Sequence, residues 1–358
     1  MPRQRVQVKK PEVEVPKRQP PRALTPVPEP VKSAPKAKIG DFEVMCLLGK
    51  GSFGTVNLVR HLETQALFAL KQIPKCKINQ SSKQIAHIIN ERDTLRKLKS
   101  SKFCVHISDT FQDEVNLYLL LEYLPGGDLL NLIKNQKFIS EGESLKFYAA
   151  EVICAVEFLH GQNIVFRDLK PENILLDAAG HIRLIDFGFS KQLLRSSQRC
   201  VTNCGTPGYS APEVMLQGEQ AGGYDAKKAD IWSVGILLCE MIGGYTPFTK
   251  QENSPQKGKR ADELFTRGKG VMLDPQQICE TIMSGNLNLP RNMSSLAKDL
   301  VRDILVVDPN MRLELADIKI HKFFRGIKWE KIAARLLQPP FVPPLPQPVC
   351  ASVDSTES

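Results

Sequence analysis

The sequence lacks the marks of a secreted, metal-clustered or membrane-spanning protein. Its nine cysteines run from Cys46 to Cys350; no two form a C-x-x-C pair, and the nearest are Cys200 and Cys204. This pattern excludes a disulfide framework and a zinc ribbon, and predicts a reduced intracellular chain, cytoplasmic or nuclear. The start, Met1-Pro2-Arg3, has no apolar run and no glycine at position 2, so neither a signal peptide nor myristoylation is expected. The most apolar stretch, 231–245, is too short and too glycine-broken to cross a bilayer and reads as a buried core helix. No internal repeat is visible. Acidic residues are scarce at one end only: residues 1–40 hold ten Lys/Arg and three acids, against 38 and 36 in the remainder. The net charge of +9 therefore belongs to an arm, read first as a solvated, disordered segment. Docking to an acidic membrane surface, a nucleic acid or an acidic partner is the competing use, and no stable nucleic-acid binding is expected.

What is present fits a globular protein. With 358 residues, 42% of them hydrophobic and 24% charged, the chain can build a core of ordinary size in one large or two medium domains. Residues 1–38 contain nine prolines, which predicts an extended arm of a composition that suits an SH3 or WW-type domain. From Asp41 strands are predicted at 42–48, 55–60 and 67–73, a helix at 83–98, and strands at 105–112 and 117–123. Pro125-Gly126-Gly127 then breaks the chain, so 41–124 reads as a small sheet-rich lobe with one main helix. The larger mainly helical part, 125–324, has helices at 145–160, 226–242, 275–284 and 295–305 and a hairpin at 174–185 turning at Gly180. Residues 325–358 are proline-rich, with six prolines in the last twenty positions, and predict an extended tail.

Gly49-Lys50-Gly51-Ser52-Phe53-Gly54-Thr55-Val56 is a G-x-G-x-x-G-x-V run led by Leu48. Small residues let backbone N–H groups approach phosphate oxygens. A dinucleotide site needs a helix straight after the third glycine. A strand is predicted instead, which favours a cover over ATP rather than that site or an ordinary hairpin turn. On the next strand, Phe68-Ala69-Leu70-Lys71 puts an ammonium within reach of the α- and β-phosphates, with Ala69 small enough for adenine to lie over it. Such a lysine needs a carboxylate to fix it. Glu91, alone an ordinary solvated helix residue, is the expected partner.

The strongest signal is Phe166-Arg167-Asp168-Leu169-Lys170-Pro171-Glu172-Asn173 followed by Asp186-Phe187-Gly188. Phosphoryl transfer needs a positioned hydroxyl and cations on the moving group. Asp168 orients the substrate hydroxyl and takes its proton, and Lys170 offsets γ-phosphate charge. Asn173 and Asp186 offer oxygen ligands that suit Mg²⁺. The hairpin between the two acids folds them side by side.

At these residues the sequence resembles the eukaryotic protein kinases, within them the AGC group, and within that the ribosomal protein S-six kinase branch. The resemblance spans about residues 41–344. It implies an α+β two-lobed kinase fold with ATP between the lobes, and it divides the chain into an arm (1–40), a kinase domain (41–324) and a truncated tail (325–358). Glu122-Tyr123-Leu124 is then the hinge, Leu121 the gatekeeper, and Val56, Ala69 and Leu175 sandwich the adenine. Leu95, Ile107, Phe166 and Phe187 stack as a spine between the lobes. Glu213 pairs with Arg312, and the helix opening at Asp230 supports the catalytic loop. Thr202 stands at the activation-loop phosphosite, with Arg167, His87 and Lys191 as its receivers, which implies an upstream activating kinase. Glu172 and Glu240 match acids that bind arginine ahead of the phosphoacceptor, and Thr206 falls in the substrate-facing part of that segment. Asp128 contacts the ribose or the same arginine. The implied enzyme is a monomeric protein serine/threonine kinase using ATP and Mg²⁺ on protein substrates with arginine near the acceptor.

Four features depart from the pattern. Phe166 stands where the group often has tyrosine, and Gly208 where it usually has glutamate. Residues 251–270 form an insertion read as a surface loop, and no Phe-x-x-Phe-Ser/Thr-Tyr ending is present. The alternatives are a weakly active pseudokinase or scaffold and a small-molecule kinase. Against the latter, Ala211-Pro212-Glu213 and the Trp232 region argue for a protein substrate.

Overall fold

The computed structural model describes residues 37–51, 54–78, 82–134, 142–217, 222–250, 271–272, 275–285 and 287–344. Most of the basic arm, Ser52 and Phe53 of the glycine loop, the insertion 251–270 and the last fourteen residues of the tail lie outside the described residues.

The small lobe is a five-stranded antiparallel sheet built from β1 (Phe42–Lys50), β2 (Thr55–His61), β3 (Leu67–Pro74), β4 (Ile107–Gln112) and β5 (Asn116–Glu122), in the order β1-β2-β3-β5-β4. Alternation along β3 and β5 sorts their side chains by face. Leu70 and Tyr118, Leu120 join Phe42 and Val59 in a small outer core, while Ile73, Leu119 and Leu121 join the main core. By the same parity Ala69 and Lys71 lie on the inner face, opposite Leu121 and Leu119. A short helix α1 (Lys75–Ile78) leads into α2 (Ser82–Lys97), which buries Ile88, Glu91, Thr94 and Leu95 at helical spacing.

The expected strand 105–112 begins only at Ile107, because the residues before it pair with the other lobe. The N–H of Val105 donates to the Leu184 carbonyl at 2.9 Å, and that of Leu184 to the Phe103 carbonyl at 2.7 Å. Leu184 belongs to the hairpin β7 (Ile174–Leu176) and β8 (Ile182–Leu184).

The large lobe is helical. After α3 (Leu129–Lys134) come α4 (Glu143–Gly161), a short strand β6 (Ile164–Val165) that pairs with β9 (Lys191–Gln192), then α5 (Pro212–Gln217) and α6 (Ala226–Gly243). α6 is buried on every side from Ala229 onward, an apolar helix interrupted there only by Asp230, Ser233 and Glu240. Its first turn is capped by Asp225, which accepts from the N–H groups of Lys227 and Lys228. Helices Pro275–Ser284 and Ser295–Ile304 fall at the predicted positions. α3, α5 and the helices Leu315–Ile320 and Trp329–Ala333 are one to two turns long, too short for a periodic signal to declare them.

The Glu213–Arg312 pair is present and nearly sealed from solvent. The guanidinium holds the carboxylate bidentately at 2.7 and 3.0 Å, donates to the carbonyls of Val306 and Lys228, and lies 5.1 Å from the Trp232 ring. Past helix Trp329–Ala333 the described part of the tail returns along the large lobe. Arg335 donates to Asp177 at 2.9 Å and to the Ile182 carbonyl, and the Tyr148 hydroxyl meets the Phe341 carbonyl at 3.4 Å. Gly180 has φ +91°, and any Cβ there would collide with the Phe341 carbonyl, so this turn accepts only glycine. Among the described residues no helix is long and apolar enough to cross a membrane.

Candidate active site

The glycine loop joins β1 to β2, with Gly49 opposite Val56 and Lys50 opposite Thr55, and the Gly51 N–H closes on the Gly54 carbonyl at 2.8 Å. A strand, not a helix, follows the third glycine, which excludes the dinucleotide arrangement. A Cβ on Gly54 would strike the Gln72 carbonyl of β3, so a side chain here would push the loop off the sheet.

Below the loop, Lys71 and Glu91 form the expected pair, with Nζ 2.7 and 2.8 Å from the two carboxylate oxygens. Burial pulls the Lys71 ammonium down, but the carboxylates of Glu91 and Asp186 override it and hold its pKa above the ordinary value. Burial, joined by the Asp186 charge, pushes the Glu91 carboxyl up against the pull of Lys71. The charge of Asp186, the second acid of the sequence motif, acts on both partners.

Asp168 is the centre of a closed network. Its Oδ1 accepts from the Thr206 hydroxyl at 2.7 Å, and its Oδ2 accepts from Asn173 Nδ2 and Lys170 Nζ, each at 2.9 Å. Lys170 Nζ also donates to Thr206 Oγ1 at 2.8 Å. The backbone beneath is anchored by Asp230, at the start of α6. Its carboxylate accepts the N–H groups of Phe166 and Arg167 at 2.9 and 2.8 Å and meets His160 Nε2 at 2.8 Å. The hairpin brings the motifs together, since the Ile185 N–H donates to the Asn173 carbonyl at 2.9 Å. Asp186 follows with φ +59° and Arg167 sits at +67°, left-handed conformations that non-glycine residues hold only when their surroundings demand it. The rings of Phe166 and Phe187 pack edge to face at 5.1 Å, in one core with Leu95 and Ile107.

Around the hinge, Leu121 and Leu124 are buried, Val56, Ala69 and Leu175 are half-buried, and Leu48 is exposed. The Glu122 N–H donates to the His106 carbonyl and its carboxylate accepts the His106 N–H, both at 2.9 Å, so this side chain turns to the back of the hinge. Asp128 caps α3 by accepting from the N–H of Asn131 at 2.7 Å. Ser52 and Phe53 are outside the described residues.

Thr202 is exposed. Arg167 Nε donates to the Phe189 carbonyl at 2.7 Å, and the His87 ring packs edge-on to Phe189 at 5.0 Å. Burial, then the Arg167 charge, lowers the His87 pKa, while Asp186 opposes them. Lys191 lies on β9 and its charge acts on the Cys200 thiol, two residues before Thr202. Glu172 is exposed, but Glu240 is buried and accepts a short hydrogen bond from the Tyr209 hydroxyl. Burial raises the Glu240 carboxyl to about 7, with the Glu172 charge adding to the rise. Sequence reasoning passed over His160, Tyr209, Asn90 and Ser190. His160 ends an apolar helix face, and the others lie in motifs read for their neighbours.

The oxygen donors fit a hard divalent cation. Asn173 spends its Nδ2 on Asp168, so its Oδ1 is the atom that could accept a cation, and the Asp186 side chain is exposed. Among the described residues no three His, Cys, Asp or Glu side chains converge; Mg²⁺ is commonly held by one or two carboxylates together with water and substrate phosphates.

The protein kinase domain family matches residues 42–324. The chain is 38% identical over 327 residues to the cAMP-dependent protein kinase catalytic subunit PRKX of Homo sapiens, covering 90% of this chain and 82% of that protein. It is 40% identical over 311 residues to the serine/threonine-protein kinase sck2 of Schizosaccharomyces pombe (85% and 44% covered). It is 36% identical over 311 residues to the serine/threonine-protein kinase sgk-1 of Caenorhabditis elegans (86% and 61% covered). Family membership implies ATP and a divalent metal. A two-lobed fold, a lysine–glutamate pair under a glycine loop and relatives of the AGC type lead to one identification: the chain belongs to the protein kinase family and is a protein serine/threonine kinase.

Proposed function

We propose that Asp168, Lys170, Asn173, Asp186, Lys71 and Glu91 carry out Mg²⁺-dependent transfer of the ATP γ-phosphate to Ser/Thr hydroxyls flanked by arginine. The observation that carries this reading is the Asp168 network. A carboxylate offers about four acceptor positions. Thr206, Asn173 and Lys170 take three, which leaves one for a substrate hydroxyl. As the hydroxyl oxygen bonds to the γ-phosphorus and the bond to the bridging oxygen breaks, Asp168 accepts the proton and ADP departs. Lys170 balances charge on the moving phosphoryl group, and Lys71, held by Glu91, orients the phosphates behind it. Asn173 and Asp186 hold the metal, which neutralises the phosphate oxygens. The glycine loop from Leu48 to Val56, with Ala69, Leu121, Glu122, Leu124, Leu175 and Asp128, frames the nucleotide.

Glu172 and Glu240 form the arginine-reading pair, since their charges act on one another across the large lobe. Phosphorylation of Thr202 by an upstream kinase adds about two negative charges, for which Arg167, His87 and Lys191 are the counter-charges. A cytoplasmic monomer and likeness to the ribosomal protein S-six kinase branch complete the reading. Purified protein with ATP, Mg²⁺ and an arginine-containing peptide tests it: transfer is expected, abolished in Asp168→Ala. No transfer by Thr202-phosphorylated protein would support the scaffold alternative, and transfer surviving Asp168→Ala would remove Asp168 from its role.

A further inference from the structure

We propose that a polar stripe on α2, made by Asn90, Thr94 and Lys97, clamps the chain after Asp186 and makes Asn90 a positioning residue for that acid. The inference rests on the roles proposed above for Glu91 and Asp186.

Asn90 Nδ2 lies 2.6 Å from the Ser190 carbonyl, 3.1 Å from that of Phe187 and 3.3 Å from that of Gly188. An amide carries two hydrogens, so the two shortest contacts satisfy it. One turn on, the buried Ser190 hydroxyl donates to the Phe187 carbonyl at 2.7 Å, and its oxygen lies 3.3 Å from Thr94 Oγ1, whose own hydrogen can close the contact. Lys97 Nζ ends the row, 3.4 Å from Gln192 Oε1. Three positions spaced by four and three residues thus follow the chain from Phe187 to Gln192.

This stripe explains two observations. The carbonyls that Asn90 holds belong to Phe187 and Ser190, the first and fourth residues after Asp186, whose left-handed backbone requires fixed surroundings. Thr94 and Ser190, two small hydroxyl residues where the core would accept apolar ones, are both buried and bonded to each other. Asn90 is also the immediate neighbour of Glu91. The same turn of α2 therefore grips Lys71 through one residue and the Asp186 segment through the next. The helix cannot swing Glu91 away from Lys71 without stripping the donors from the Phe187 and Ser190 carbonyls. Nucleotide lysine and metal acid are set by one rigid element.

The test uses the full chain with Asn90→Leu, Thr94→Val and Thr94→Ser, read by peptide phosphorylation at saturating ATP and by amide hydrogen exchange. Asn90→Leu is expected to lower kcat about tenfold or more, the effect of losing one to two hydrogen bonds to a reacting geometry. It should also speed exchange in 186–192 and 82–97 together, with KM for peptide little changed. Thr94→Val should lose activity by about threefold and Thr94→Ser restore it, which packing alone would not produce. Unchanged exchange in 186–192 with kcat within about twofold of the parent would overturn the clamp, as would equal losses in Thr94→Ser and Thr94→Val. If Asn90→Leu does not fold, a double-mutant cycle of Thr94→Val with Ser190→Ala decides, coupling being expected and strict additivity refuting it. If the parent transfers no phosphate, the role of Asp168 falls, and hydrogen exchange still judges the clamp.

Discussion

Replacing Arg312 by methionine isolates the largest buried charge interaction in the large lobe. The guanidinium is fully enclosed and makes five hydrogen bonds: two to Glu213, two to the Val306 carbonyl and one to the Lys228 carbonyl. Methionine fills much of the volume but leaves the Glu213 carboxylate, itself only 3% exposed, with no counter-charge. Breaking a buried pair from one side costs about 3–5 kcal/mol, because the surviving charge stays desolvated. For a domain of this size each kcal/mol lowers the melting midpoint by about 2–4 °C, so a fall of about 10 °C is expected by scanning fluorimetry or calorimetry. Arg312→Met with Glu213→Leu should recover about half of that fall, since no orphaned charge remains. A single variant that melts within about 2 °C of the parent, or a double variant less stable than the single, would refute the reasoning. Because Glu213 opens α5, directly after the segment holding Thr206 and Tyr209, the single variant should also raise the peptide KM.

Further outcomes follow from the site. Glu91→Gln removes the charge that keeps Lys71 protonated against burial, and kcat/KM for ATP should fall about thirtyfold or more in steady-state assays while Asp186 partly replaces it. Glu240 ionises near pH 7, so lowering the pH from 8 to 6 should raise KM for an arginine-containing peptide and not for one lacking arginine. The stability effect of Glu240 has the opposite sign: its folded pKa lies above the ordinary 4.5, so its contribution is full below that pH and lost as pH rises through about 7. Gly180→Ala should detach the tail at Phe341, seen as faster exchange in 335–344 and a lower melting midpoint.

Much of the site was legible because its chemistry is written in short contiguous runs. Asp168 to Asn173 and Asp186 to Gly188 are each a few residues long, and a brief hairpin joins them, so local spacing already placed them together. The Lys71–Glu91 pair needed only parity on one strand and period on one helix. What stayed hidden depends on distant chain segments meeting. The resemblance pointed to the helix at Asp230 as a support for the catalytic loop, but no local spacing shows that its carboxylate holds the N–H groups of Phe166 and Arg167, sixty-odd residues away. Glu240 matched an arginine-binding acid, but burial, helped by the Glu172 charge and opposed by the Tyr209 hydrogen bond, makes it a weak one. The start of β4 was misjudged because Cys104 and Val105 have strand-like side chains but take Leu184 as their partner.

That pairing of Phe103 and Val105 with Leu184 rivets the two lobes at a further place besides the linker after Glu122 and the contacts of α2 with Phe187 and Ser190. Loosening the Phe103–Leu184 rivet would let the lobes slide past one another, and would spoil the alignment of Lys71 with Asp168 without touching either residue.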